Sequence, residues 1–183
     1  FPGTADEGGR FARTEIRYSV RQAIGATTRL KAELRQRQDD YRSPYDVRDT
    51  DGLEYAAQAA FKAGEQITLR ADASSGTFRA TSRKYTQSEH EVAGAIGWSN
   101  AGWRADLSVG SGVARYPDAV SGDSNFRRRD QWIRTRLGMA RSLGESMSLL
   151  AAAEMYDQTS TRPDRTYTTN GFRLGLEWNR PRK

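Results

Sequence analysis

From residue 11 to residue 21 alternate positions carry opposite chemistry. Ala12, Thr14, Ile16, Tyr18 and Val20 form one set, and Phe11, Arg13, Glu15, Arg17, Ser19 and Arg21 form the other. Side chains of a β-strand point to opposite faces with a period of two, so the run predicts a strand with one charged and one uncharged face. A helix of period 3.6 would mix the two sets. The pattern then returns. Leu30, Ala32 and Leu34 alternate with Arg29, Lys31, Glu33, Arg35 and Arg37, and Leu53, Tyr55, Ala57, Ala59 and Phe61 with Glu54, Gln58 and Lys62. Ile67, Leu69, Ala71 and Ala73 oppose Thr68, Arg70 and Asp72, while Val92, Gly94, Ile96 and Trp98 mark a fifth strand. Trp103, Ala105, Leu107 and Val109 face away from Arg104 and Asp106, and Ile133, Thr135, Leu137 and Met139 from Arg134 and Arg136. Met147, Leu149, Ala151, Ala153 and Met155 oppose Ser148 and Glu154. Phe172, Leu174, Leu176 and Trp178 oppose Arg173, Gly175, Glu177 and Asn179. Nine strands are predicted, with no charge on the apolar face of any of them as delimited here.

The connections alternate too. Short ones fall at Ile24-Gly25, Gly64-Glu65, Asn100-Ala101-Gly102 and Leu143-Gly144-Glu145, where Gly and Asn supply the backbone freedom of tight hairpins. Long polar stretches run over residues 38–52, 74–89, 115–131 and 157–170. Short turns at one end and long loops at the other predict an up-and-down antiparallel meander. Residues 1–9 read as a linker, 10–179 as the β-barrel and 180–183 as a tail. A start without Met or a basic-then-apolar leader is expected of a mature form or an excised piece.

Composition narrows the class. Among 183 residues, 29 basic against 23 acidic side chains leave a net charge of +6, with a pI near 9.8 and a mean hydropathy of −0.83. No run approaches the roughly 20 apolar residues of a spanning helix, which excludes a helical membrane protein. The 17 Gly have no three-residue period and there is no Cys, so collagen-like and disulfide-stapled folds and thiol chemistry are excluded as well.

Alternation leaves open whether the apolar face points into a cavity or into lipid. In a soluble lipocalin-like ligand-binding barrel it lines the cavity; in a membrane barrel it meets lipid and the charges line the lumen. Three features favour lipid: the asymmetry of turns and loops, the strict absence of charge on the apolar face, and aromatic residues near strand ends. Phe61, Trp98 and Trp103 lie beside short turns and Trp178 ends the last strand, the positions of a membrane-interface belt. The expected fold is an all-β, antiparallel up-and-down transmembrane β-barrel of about eight to ten strands, or part of a larger one. Its expected place is a bacterial outer membrane, against lipid and lipopolysaccharide.

The run Tyr45-Asp46-Val47-Arg48-Asp49 before a strand, Arg129-Asp130 opening another, and the ending from Tyr167 to Trp178 with Gly171, Phe172, Leu174, Gly175 and Leu176 resemble hairpins of outer-membrane barrel domains. The nearest likeness is the C-terminal barrel that follows tetratricopeptide repeats in surface-lipoprotein assembly modulators and exopolysaccharide exporters. That resemblance implies an export role and an upstream repeat domain or partner chain. Such barrels commonly finish on an aromatic residue, whereas here Asn179 to Lys183 follows Trp178. Nine is also odd where single-chain bacterial barrels are even, and a first strand that starts at the long-loop end leaves room for an upstream strand.

The charged faces hold 13 basic and seven acidic residues, an excess that would draw anions into a lumen, since guanidinium binds carboxylate and phosphate in a bidentate way. Arg29, Arg35, Arg104, Arg134 and Arg136 are the candidate anion-attracting groups. The expected function is a conduit or translocation barrel for an anionic polymer, a small anionic solute or an exported protein; the alternatives are an outer-membrane anchor with a filled Arg/Glu lumen and the soluble barrel. No nucleic-acid partner is expected, because the basic residues recur along strands instead of forming a patch. Arg127-Arg128-Arg129 reads as a solvated loop cluster, with docking of a lipopolysaccharide phosphate as the alternative. Ser88 and His90, the single His, share a side of a strand without a local orienting group, so no catalytic residue and no enzyme is expected. Asp39, Asp40, Asp46, Asp49 and Asp51 lack the spacing of a calcium loop, and neither metal nor cofactor is expected.

Overall fold

The computed structural model describes residues 11–41, 48–121, 124–144 and 146–178. The expected linker and tail, together with Tyr45, Asp46 and Val47, lie outside them. Nine strands follow one another: β1 (Phe11–Ile24), β2 (Thr28–Tyr41), β3 (Thr50–Ala63), β4 (Ile67–Ala80), β5 (Gln87–Asn100), β6 (Trp103–Ser121), β7 (Ser124–Ser142), β8 (Met147–Ser160) and β9 (Tyr167–Trp178). Each pairs antiparallel with its neighbours in sequence, in one sheet of order β1 to β9. Among the described residues the sheet is open, with β1 and β9 as its edges.

Cross-strand register keeps the two faces separate from strand to strand, up to a register shift beyond Tyr116 and Arg128 where β6 and β7 meet at their long-loop ends. Arg17 lies opposite Arg35, Arg35 opposite Glu54, and Glu54 opposite Gly76, whose row continues through Glu89 and Ala114 to Asp130. A slip by one residue anywhere would throw charge onto the apolar face.

Short turns close the hairpins at one end. Between β5 and β6 they narrow to Ala101 and Gly102, with φ of 47° and 82°, the double positive φ of a two-residue hairpin turn.

The other end departs from expectation. Residues 38–52, 74–89, 115–131 and 157–170 were expected as long loops, yet strand pairing runs deep into all four, and β6 and β7 reach 19 residues each. The reason lies on the outward face. There Gln36, Gln38 and Asp40 on β2, Thr77 and Arg79 on β4, and Ser88 and His90 on β5 replace apolar residues, so the hydrophobic signal stops while backbone pairing continues. What remains of two of the loops carries single 3-10 turns, Arg83–Tyr85 and Pro163–Arg165.

Burial is inverted relative to a water-soluble domain. Large apolar side chains are exposed on the apolar face of every strand, including Val20 at 71% and Phe172 at 68%, whereas among the described residues the buried hydrophobic ones are Phe78 and Ala114. Among the described residues five polar ones are buried, Glu33, Asp39, Asp130, Ser148 and Gln158, all on the charged face by register. On the strands between the two edges the charged face is therefore the more sheltered one away from the short turns.

Candidate functional site

Side chains of the sheltered face meet at two levels. Midway along the strands Glu33 on β2 is ion-paired with Lys31 and Arg35 on its own strand and with Arg17 Nε on β1 at 3.2 Å. Arg35 Nη1 in turn reaches Glu54 Oε1 on β3 at 3.2 Å, and Gln58 Nε2 donates to Asp72 Oδ1 at 2.5 Å on β4. Alternation of sign along β2 at spacing two makes this ladder possible, because residues two apart share a face. A cavity of about 290 Å³ sits here, lined from β2, β3, β4, β5 and β7. Its charged lining consists of Lys31, Arg35 and Arg134 with Glu33, Glu54, Asp72 and Glu91. That Arg134 of β7 shares it with Lys31 of β2 means the sheet curls until opposite strands face each other.

Nearer the long-loop end the interior is packed. Asp39, 1% exposed, accepts from Arg13 Nε at 2.6 Å and from Arg37 Nη2 at 2.6 Å, with Thr50 Oγ1 at 3.4 Å. The Arg37 guanidinium lies 4.8 Å from the centre of the Phe78 ring, a cation–π distance. Phe78 fills the room in front of Gly52 and Gly76, and the Trp132 indole does the same before Gly112. On the far side Arg128 donates to Asp130 and stacks 4.1 Å from the Tyr116 ring centre, while the Ser160 hydroxyl donates to Asp130 at 2.6 Å. Tyr156 donates to Gln158 at 2.9 Å and packs against Tyr167 with ring centres 5.9 Å apart.

Extending the charged face to all described side chains in regular register changes its balance. The register adds Arg128 to the basic side and Asp39, Glu89, Glu91 and Asp130 to the acidic side, giving fourteen against eleven, so the excess halves from six to three. Of the five arginines singled out, Arg35 and Arg134 line the cavity. Arg134 also sits 5.4 Å from the Tyr156 ring and 3.5 Å from Glu154. Arg136 lies opposite Glu154 and is exposed, and Arg29 and Arg104 stand exposed near the short turns. The five do not form one cluster. Phe61, Trp98, Trp103 and Trp178 are all exposed on the apolar face at the short-turn end, with Trp178 opposite Met147 on β8.

Other candidates separate. Ser88 and His90 lie on the outward face, opposite Thr77 and Ser75. Asp39 points inward while Asp40, on the opposite face, accepts from Gln38, and Asp49 accepts from the Tyr41 amide at 2.6 Å; Asp46 lies outside the described residues. Among the described residues no group of acidic or His side chains is arranged to hold a metal. Arg127, Arg128 and Arg129 belong to β7, not to a loop, and alternate between faces. On the Arg83–Tyr85 turn burial pushes the Tyr85 phenol up. A hydrogen bond from Arg48 and the nearby Lys84 charge outweigh it and hold the phenol below its ordinary value.

The sequence reading missed the aromatic packing of Phe78, Tyr116, Trp132 and Tyr156. One signal was available: in two cases the register partner of the large ring is a glycine, Gly52 for Phe78 and Gly112 for Trp132. No protein-family model and no curated protein matches the chain.

Proposed function

We propose that this chain forms the wall of an outer-membrane β-barrel, a lipid-embedded anchor whose interior is held by ion pairs and filled at one end. The observation that carries the reading is the inversion of burial: large apolar side chains exposed around the sheet, the carboxylates of Glu33, Asp39 and Asp130 buried on its other face. A soluble ligand carrier needs the reverse, and the one mid-height cavity described above has a charged lining. Dimensions agree. On β8 the outward apolar residues run from Met147 to Met155, eight steps of about 3.4 Å or roughly 27 Å along the strand. At a tilt of about 40° this becomes about 20 Å of height, near the ~25 Å apolar band of such barrels.

The conduit reading remains second, favoured by the cavity that Arg35 and Arg134 line. Its near balance of charge there, and the packing of Phe78 and Trp132 beyond it, support a filled interior over an anion path. The deciding experiment reconstitutes the chain in detergent and then in planar bilayers. Strand-rich circular dichroism, heat-modifiable migration and no conductance are expected. Steady anion-selective conductance would make it a conduit, and a detergent-free soluble monomer would remove it from the membrane altogether.

A further inference from the structure

At β1 and β9 the sheltering fails. On β5 and β8 exposure alternates with the face, but every β1 residue from Ala12 to Ile24 and every β9 residue after Tyr167 is exposed on both faces. Two unpaired backbone edges remain, which lipid cannot satisfy. We propose that a tenth strand, supplied by polypeptide outside these 183 residues and running antiparallel to both β1 and β9, fills this seam and carries carboxylates on its inward positions. The inference rests on the membrane reading above, since water would otherwise satisfy both edges.

Direction is the first argument. Eight reversals separate β1 from β9, so the two edges run the same way. Direct closure would pair them parallel. A second copy inserted with the same orientation would also meet parallel at both of its seams. A copy turned over to pair antiparallel would place its loops on the opposite side of the membrane. One strand of opposite direction makes both seams antiparallel and brings the count to ten, an even number. The width fits too: Arg134 on β7 and Lys31 on β2 line one cavity, as they would in a barrel of about eight to ten strands with a side-chain-filled interior.

Charge is the second. Arg13 and Arg17 of the β1 edge have Asp39, Glu15 and Glu33 as partners. Arg21 on β1 and Arg173 on β9, both exposed on the charged face, meet no carboxylate among the described residues. Cross-strand pairing of opposite charges would place acidic residues between them.

The test inserts the 183-residue chain into phosphatidylcholine vesicles, separates inserted protein by flotation, and follows amide hydrogen exchange of β1 and β9 by mass spectrometry. Two synthetic peptides of about eleven residues are the probes, alternating Leu with Glu and Leu with Lys. The Glu peptide is expected to slow exchange at both edges together by at least about tenfold and the Lys peptide not to. In the R21E/R173E variant the preference should reverse. Protection of both edges in the chain alone would overturn the proposal in favour of direct closure if the protein is monomeric, or of a second copy if it is dimeric. Unprotected edges with either peptide would overturn it as well. A chain that stays out of the vesicles overturns the membrane reading and the seam with it, whereas one that inserts without these effects overturns the seam alone.

Discussion

The ring of Phe78 on β4 occupies the space that a side chain at its register partner, Gly52 on β3, would need: a Cβ built there falls among the ring carbons. Gly76 on the same strand as Phe78 is bound in the same way, its Cβ position lying 2.9 Å from the ring. The ring therefore has one seat, with Arg37 above it.

Gly52→Val should unseat Phe78 and lower stability by about 1–3 kcal/mol, the usual penalty of overpacking. Gly175→Val on β9, where a Cβ meets nothing within 4 Å, should be close to neutral. Urea unfolding in a fixed detergent compares them, and equal losses would show that the ring is not fixed by its glycine seat.

Asp39→Ala leaves Arg13 and Arg37 without the carboxylate they share. Removing one partner of a buried pair costs about 3–5 kcal/mol, reduced here because both guanidinium groups are partly exposed. Folded yield after refolding should fall sharply, whereas Asp40→Ala on the outward face should leave it unchanged.

Leu107→Arg places charge in the middle of the apolar face and should cost about 2–4 kcal/mol in lipid; Trp103→Arg near the short turn should cost about 0–1 kcal/mol for its charge. A gradient of this kind, measured by reversible unfolding in vesicles, identifies lipid. Equal and small effects at both positions would mean that the face meets water.

Arg35→Glu combined with Arg134→Glu sets like charges against Glu33, Glu54 and Glu154. In a filled interior the result is reduced folded yield with no new conductance. Retained folding with reversed ion selectivity in planar bilayers would favour the conduit instead.

Asp164, in the turn between β8 and β9, is held below the usual carboxylate range by hydrogen bonds from Arg162. A lowered carboxylate favours the folded turn above its unfolded value and loses that support as pH falls through the folded one. Arg162→Gln should raise Asp164 toward the ordinary carboxylate range in an NMR carboxyl titration. An unmoved Asp164 would rule out the arginine as the cause.

The strand faces were readable because the two faces of the sheet carry residues that differ in kind: Ile16, Leu34 and Leu107 cannot change places with Arg17, Arg35 and Asp106 without reversing the alternation. Strand ends were not readable, since Gln38, Thr77 and His90 satisfy water on the outer side and the period-two contrast disappears just where the strands continue. The inward excess of base was overstated for the same reason: Asp39, Glu89, Glu91 and Asp130 stand on portions of strand taken for loop or left uncounted. Asp39 in particular reads as a solvated loop carboxylate until β1 supplies Arg13 opposite it.

Asp39, Phe78, Asp130 and Gln158 all lie at heights where the flanking outward residues are polar: Gln38 and Asp40, Thr77 and Arg79, Arg129 and Gln131, Asp157 and Thr159. The densest part of the molecule thus stands in a collar beyond the apolar band of the outward face, and close packing and apolar surface are divided between two storeys. If the apolar band meets lipid as proposed, changes in bilayer thickness or detergent would act on the lower storey, whose inner face holds a cavity and a ladder of ion pairs, while the upper storey would keep its packing. Loosening the upper storey would in turn open the inner face to the loop side without disturbing a single outward apolar residue.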